Sequence, residues 1–241
     1  MTAYALVLAV GLLAGLVSGI VGTGATIILL PVLALTFGPK SAIPIMAIVA
    51  LMSNFAKITS WWREIDWRAV GAYAVGGIPG AALGARTMLS LPPRLVDLAL
   101  GVFFLVMIPG RHWLAARNFK ASAVVLVPAG LFIGFLTGIV VSTGPITVPI
   151  FSAYGLAKGA FIATEAASSL AMYISKTITF RSFGALPTDL ILRGLITGTS
   201  VMAGTYLSKL LMERLSLKAF QRLLDVVMLF SAASLIWGAL R

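Results

Sequence analysis

Apolar residues run along this chain in long blocks, and the polar residues gather in short breaks between the blocks. Residues 1–39 contain no Asp, Glu, Lys or Arg, and residues 121–157 contain none either. A helix of about 20 apolar residues crosses the hydrocarbon core of a bilayer and satisfies its own backbone there, as lipid requires. The blocks predict helices over 3–21, 24–37, 42–60, 69–89, 95–115, 121–141, 145–156, 160–180, 188–211 and 220–240. Turn formers and charge occupy the breaks: Gly38-Pro39-Lys40, Arg63 to Arg68, Pro92-Pro93-Arg94, Arg117 to Lys120, and Leu186-Pro187-Thr188-Asp189. The expected fold is an all-α polytopic membrane protein with about 8–10 membrane helices. The first block has no basic flank and runs past the length of a signal-peptide core, so it is expected to be retained.

Two blocks are irregular. Residues 3–37 and 121–156 are each long for one crossing and short for two, and they are interrupted at Gly22-Thr23-Gly24 and Ser142-Thr143-Gly144-Pro145. Broken apolar segments at corresponding places in two halves point to a transporter's binding site. A repeat accompanies them. Gly15-Leu16-Val17-Ser18-Gly19-Ile20-Val21 matches Gly134-Phe135-Leu136-Thr137-Gly138-Ile139-Val140 at an offset of 119. Thr23-Gly24 matches Thr143-Gly144, Pro31 matches Pro149, Gly38 and Lys40 resemble Gly155 and Lys158, and Lys57 falls opposite Lys176. The chain divides into an N-terminal repeat, 1–118, and a C-terminal repeat, 119–241, of five elements each within one integrated membrane domain.

The first element of each repeat decides their relation. A single crossing there gives four crossings per half and parallel repeats; a broken or re-entrant hairpin gives an odd number and inverted repeats. With hairpins, Arg63, Arg68, Arg111, Arg117, Lys120, Lys158, Lys209, Arg214, Lys218 and Arg222 share one face. Lys40, Arg86, Arg94, Arg181, Arg193 and Arg241 take the other. Single crossings split the charges almost evenly. Inverted repeats are therefore expected, with the richer face cytoplasmic and both termini outside.

Composition narrows the chemistry. With 60% hydrophobic residues, 10% charged and a mean hydropathy of +1.05, the chain lacks the roughly one-quarter charged composition of soluble domains. The absence of cysteine excludes disulfides, thiol redox chemistry and Cys-ligated metals. One histidine, His112, and no H-E-x-x-H or P-loop motif give no metal site, cofactor or catalytic residue to expect. The net charge of +11 is spread singly between apolar blocks, which reads as topology and headgroup contact, not as a nucleic-acid surface.

The two breaks carry the candidate chemistry. Each is followed by a new helix whose first N–H groups and positive dipole end can hold an anion. Gly22, Thr23, Gly24 and Thr26 at the first break, and Ser142, Thr143, Gly144 and Thr147 at the second, are the candidate substrate-binding residues. The flanking Gly15, Gly19, Gly134 and Gly138 read as close helix packing. Lys57 and Lys176, also candidates for substrate binding, lie about three-quarters along their helices, where a lysine faces a cavity, finds a partner or snorkels to the headgroups. Glu165 is a candidate proton or cation coupling site, with a dipole-stabilised acid at a helix N-terminus as the competing reading. Arg86 and Trp61-Trp62 read as interfacial anchors.

The run Gly15-Leu16-Val17-Ser18-Gly19-Ile20-Val21-Gly22-Thr23-Gly24, followed by Pro31, and its echo from Gly134 to Pro149 resemble the TauE/SafE family of bacterial membrane permeases. Ala25-Thr26 and Val141-Ser142 depart from the family's glycine-richer pattern. The resemblance implies secondary transport of sulfur-containing anions, sulfite or organosulfonates such as sulfoacetate, across a bacterial inner membrane by a multi-pass protein. The expected function is alternating-access transport of such an anion, held between the two broken-helix N-termini; an anion channel and a non-transporting membrane assembly subunit are the alternatives. The partners expected are a small anionic substrate and the lipid bilayer, with no nucleic acid. A homodimer and a coupling ion, proton or sodium, stay open.

Overall fold

The structure is a computed structural model that describes residues 2–21, 25–92, 121–139, 143–156 and 158–211, with single positions at 95, 98, 102, 105, 106, 109, 229 and 233. Every regular element among them is a helix: α1 (Thr2–Val21), α2 (Ala25–Phe37), α3 (Pro39–Trp61), a 3-10 turn (Trp62–Glu64), α4 (Trp67–Ser90), α5 (Ala123–Ile139), α6 (Gly144–Ala153), α7 (Lys158–Ser182) and α8 (Thr188–Leu211). The helices expected over 95–115 and 220–240 lie outside the described residues apart from those single positions, as do residues 22–24 and 140–142. Ser41–Glu64 and Thr188–Leu210 are long and apolar enough to cross a membrane, while Tyr4–Ile20, Ile28–Phe37 and Ala123–Ile139 are shorter apolar helices. At 24 and 25 residues, α4 and α7 are about 36 Å long, but glycine and polar residues dilute their apolar character.

Local chemistry sets the helix ends. Gly38 adopts φ 84°, a conformation open mainly to glycine, and Pro39 then starts α3 at the position where a missing N–H costs nothing. Asp66 caps α4 by accepting from the Ala69 N–H at 3.0 Å. A turn at Tyr154-Gly155, with Gly155 at φ 103°, ends α6 three residues before the expected boundary at 156.

Side-chain and backbone contacts fix the helix directions. Gly76, Gly80 and Gly84 of α4 meet Val127, Leu131 and Phe135 of α5 in rising order, so these two helices run parallel. Gly11, Gly15 and Gly19 of α1 meet Ser200, Val201 and Ser208 of α8 in the same way. Gly194 and Gly198 of α8 follow Ile48 and Met52 along α3, again in parallel. Gly159 of α7 instead lies against Trp61 and Glu64, at the far end of α3, so α3 and α7 are antiparallel. Bonds from the Asp66 N–H to Thr164 Oγ1 (2.9 Å) and from Ser175 Oγ to the Ile78 carbonyl (2.9 Å) align α7 with α4. Helices α1, α3 and α8 therefore run one way, and α4, α5 and α7 the other.

The two short pairs double back. Tyr4 near the start of α1 stacks on Phe37 at the end of α2, ring centroids 5.4 Å apart. Ala121, just before α5, donates its N–H to the carbonyl of Ala153 at the end of α6, at 2.9 Å. Each pair thus returns to the side on which it began.

Interfaces α1/α8 and α4/α5 are built on small residues. A Cβ added to Gly15 would collide with the Val201 carbonyl, one on Gly134 with that of Gly77, and one on Gly138 with the Ala85 N–H. Backbone-to-backbone packing of this kind replaces the hydrophobic drive that helices lack in lipid. Around these seams lie two apolar clusters, one of Leu29, Leu33, Ile45, Met46 and Phe180, the other of Tyr73, Leu126, Phe151 and Met172.

Candidate functional site

One stripe of α7 carries polar and charged residues into the bundle. Glu165, Ser169, Tyr173 and Lys176 follow one another at spacings of four, four and three, which places them on a single helix face. The charged members of this stripe face the interior: Glu165 is 4% exposed and Lys176 is fully buried, while Ile174 and Ile178 of the same helix are exposed. Such an inversion of the usual pattern makes the stripe a candidate site, because a membrane helix buries charge only where a partner or a cavity receives it.

Glu165 is the eighth residue of α7, beyond the first turn where a helix dipole acts, so the N-terminal-acid reading gives way to its cross-helix surroundings. Ser169 Oγ donates to its Oε1 at 2.7 Å. Lys57 of α3, which is 4% exposed, attracts it electrostatically across the antiparallel α3/α7 interface. Tyr73 of α4 and Tyr173 of α7 also lie within its electrostatic reach. Two buried atoms of this cluster, Glu165 Oε2 and the Tyr73 hydroxyl, have no hydrogen-bond partner among the described residues. No sequence signal pointed to Tyr73; the spacing of Ser169 and Tyr173 from Glu165 is one that could have found them.

Lys176 takes a different setting. Its Nζ donates to the Thr137 carbonyl in the last turn of α5 at 2.7 Å and lies 5.3 Å from the Phe180 ring centroid. A cation there complements the negative end of α5. Burial of both lysines overturns headgroup snorkelling for either.

Around the second break, Thr143 is buried and its Oγ1 shares a 2.6 Å hydrogen bond with Thr137 Oγ1. Its carbonyl accepts from the Ile146 and Thr147 N–H groups at 2.9 and 3.1 Å, which starts α6. Thr147 is buried and Gly144 is the first residue of α6. Near the first break, Thr26 is buried in the first turn of α2 and hydrogen-bonds Tyr173 through its side chain. Gly22, Thr23, Gly24 and Ser142 lie outside the described residues. One face of α7 thus meets Lys57 at Glu165, Thr26 at Tyr173, and Thr137 with its partner Thr143 at Lys176. Eleven residues separate Glu165 from Lys176, about 16 Å along the axis.

The remaining candidates sit at the periphery. Arg86 is exposed, 6.0 Å from the Phe183 ring, and Trp62 is exposed beside Arg63. Lys209 lies over Trp61 and donates to the Ser60 carbonyl at 3.1 Å. Among the described residues no group of three or more His, Asp or Glu side chains could hold a metal ion.

Long apolar helices enclosing buried cations beside helix ends define a membrane transporter more readily than an enzyme. Residues 7–235 match the family described as Sulfite exporter TauE/SafE, and the chain belongs to that family of membrane transporters. It is also similar to the Probable membrane transporter protein YjnA of Bacillus subtilis (strain 168), with 24% identity over 258 residues, covering 95% of this chain and 98% of the relative. No solved structure gives a significant match.

Proposed function

We propose that this protein is a secondary transporter of small sulfur-containing anions, sulfite or organosulfonates such as sulfoacetate, in a bacterial inner membrane. The observation that carries the reading is the α7 stripe, which ties the first turn of α2 and the start of α6 to two buried lysines. Helix starts, hydroxyls and ammonium groups are the donors that a small oxyanion needs in a medium without free water. The anion would be held between the starts of α2 and α6, with Lys57 and Lys176 as its flanking cations.

The same arrangement is compatible with alternating access, the mode of transport proposed. The opposed directions of α1 and α5, α3 and α7, and α4 and α8 support two inverted repeats, and the returning α1–α2 and α5–α6 pairs support a re-entrant first element in each. Proteoliposomes carrying the purified chain should take up labelled sulfite or sulfoacetate saturably, with taurine, sulfate and carboxylates as competitors. Uptake that never saturates would favour a channel, and no flux of any of these anions would remove the transport reading.

A further inference from the structure

We infer that Glu165 carries the coupling proton, and that Lys57 exchanges its carboxylate partner for the transported anion as that proton binds. This rests on the anion-transport reading above and goes beyond it by assigning the coupling ion. Lys57 and Glu165 attract one another where both are almost completely buried. Glu165 has one oxygen served by Ser169, while Oε2 has no hydrogen-bond partner among the described residues. A carboxylate in this setting depends on the neighbouring ammonium, because an uncompensated buried charge is strongly disfavoured.

An arriving anion competes for the same ammonium. If Lys57 turns to it, Glu165 remains as the uncompensated charge unless a proton adds to Oε2 and makes the group a neutral carboxylic acid. Anion binding and proton uptake therefore favour each other, and reciprocally. The protonated oxygen becomes a donor, and the Tyr73 hydroxyl, buried and equally without a partner among the described residues, is a nearby polar atom in the same cluster.

Among the described residues, the facing groups allow no second carrier at this place. Lys57 faces Glu165 from α3, Tyr73 from α4 and Tyr173 from α7 itself. The 3-10 turn brings Glu64 against Gly159, nearly two turns earlier; Asp66 meets Thr164 through its backbone N–H, but its half-buried carboxylate is engaged as the cap of α4; and α5 and α6 contain no titratable residue. The position 119 residues before Glu165 is Met46, fully buried in the apolar core. Among the described residues Glu165 is the one buried carboxylate, and the stoichiometry expected at this site is about one proton per anion.

The test uses the full chain in proteoliposomes with labelled sulfoacetate and sulfite. Accumulation driven by a pH gradient is compared with exchange against preloaded anion at equal pH. Wild type should perform both, and Glu165→Gln should lose gradient-driven accumulation at least tenfold more than exchange. Equal loss of the two, or accumulation driven by sodium and indifferent to pH, overturns the inference. A second measurement needs no variant: sulfoacetate added to wild-type protein in weakly buffered detergent should draw about one proton per anion bound. Binding without proton uptake overturns the coupling while leaving transport intact, whereas absence of binding and flux of both probes fails the transport reading itself.

Discussion

Lys57 and Glu165 attract one another where both side chains are almost completely buried. Removing one partner of a buried pair leaves an uncompensated charge and costs about 3–5 kcal/mol, whereas removing both can be nearly neutral. Lys57→Met should therefore lower the thermal unfolding midpoint in detergent sharply, and Lys57→Met/Glu165→Gln should recover most of the loss. A double variant no more stable than Lys57→Met would show that the two side chains do not compensate one another. Lys176 supplies a second prediction, since its ammonium both serves the Thr137 carbonyl and borders the start of α6. Lys176→Met should weaken sulfoacetate binding by about tenfold, roughly 1.4 kcal/mol, in calorimetric titration. Lys176→Arg should rescue it only in part, because a planar fork does not reproduce a compact ammonium. The sequence singled out both lysines and Glu165 but not the pairing of Lys57 with Glu165. That pairing depends on the register of α3 against α7, which no local pattern encodes.

Among the elements, glycine acts chiefly as a seam. Gly134 lies against the α4 backbone at Gly77, while Gly71 has nothing within 4 Å of its added Cβ. Gly134→Leu should abolish the monodisperse folded protein, as judged by size exclusion, and Gly71→Ala should leave its stability within about 0.5 kcal/mol. A monodisperse Gly134→Leu protein as stable as wild type would mean that the α4/α5 contact is dispensable. The helices themselves were legible because charge-free blocks and turn formers are strong local signals: α8 spans Thr188–Leu211, the interval expected from sequence. Boundaries slipped where one residue decided them. Pro39 starts α3 three positions before the expected 42, and Gly155 closes the turn that shortens α6.

At the level of the whole molecule, helix direction places loops on opposite ends. Trp62 and Gly155 belong together because Gly159 packs on Trp61 and Glu64, whereas Gly184 follows the far end of α7. The chain has no native cysteine, so single cysteines can report on sidedness without background. Trp62→Cys and Gly155→Cys should react with a membrane-impermeant maleimide from one side of oriented vesicles, and Gly184→Cys from the other. Labelling of all three from one side would refute the direction assigned to α7.

The α1/α8 seam also sets a timetable for synthesis. The Gly15 carbonyl accepts from Thr205 Oγ1, a residue 190 positions later in the chain. At about 5–20 residues per second, roughly 10–40 s separate the emergence of the two from the ribosome. During that interval α1 has inserted without its final neighbour, and its bare glycine face must be shielded by lipid or by the insertion machinery. A nascent chain arrested before α8 therefore leaves that glycine face without the helix that covers it in the finished protein.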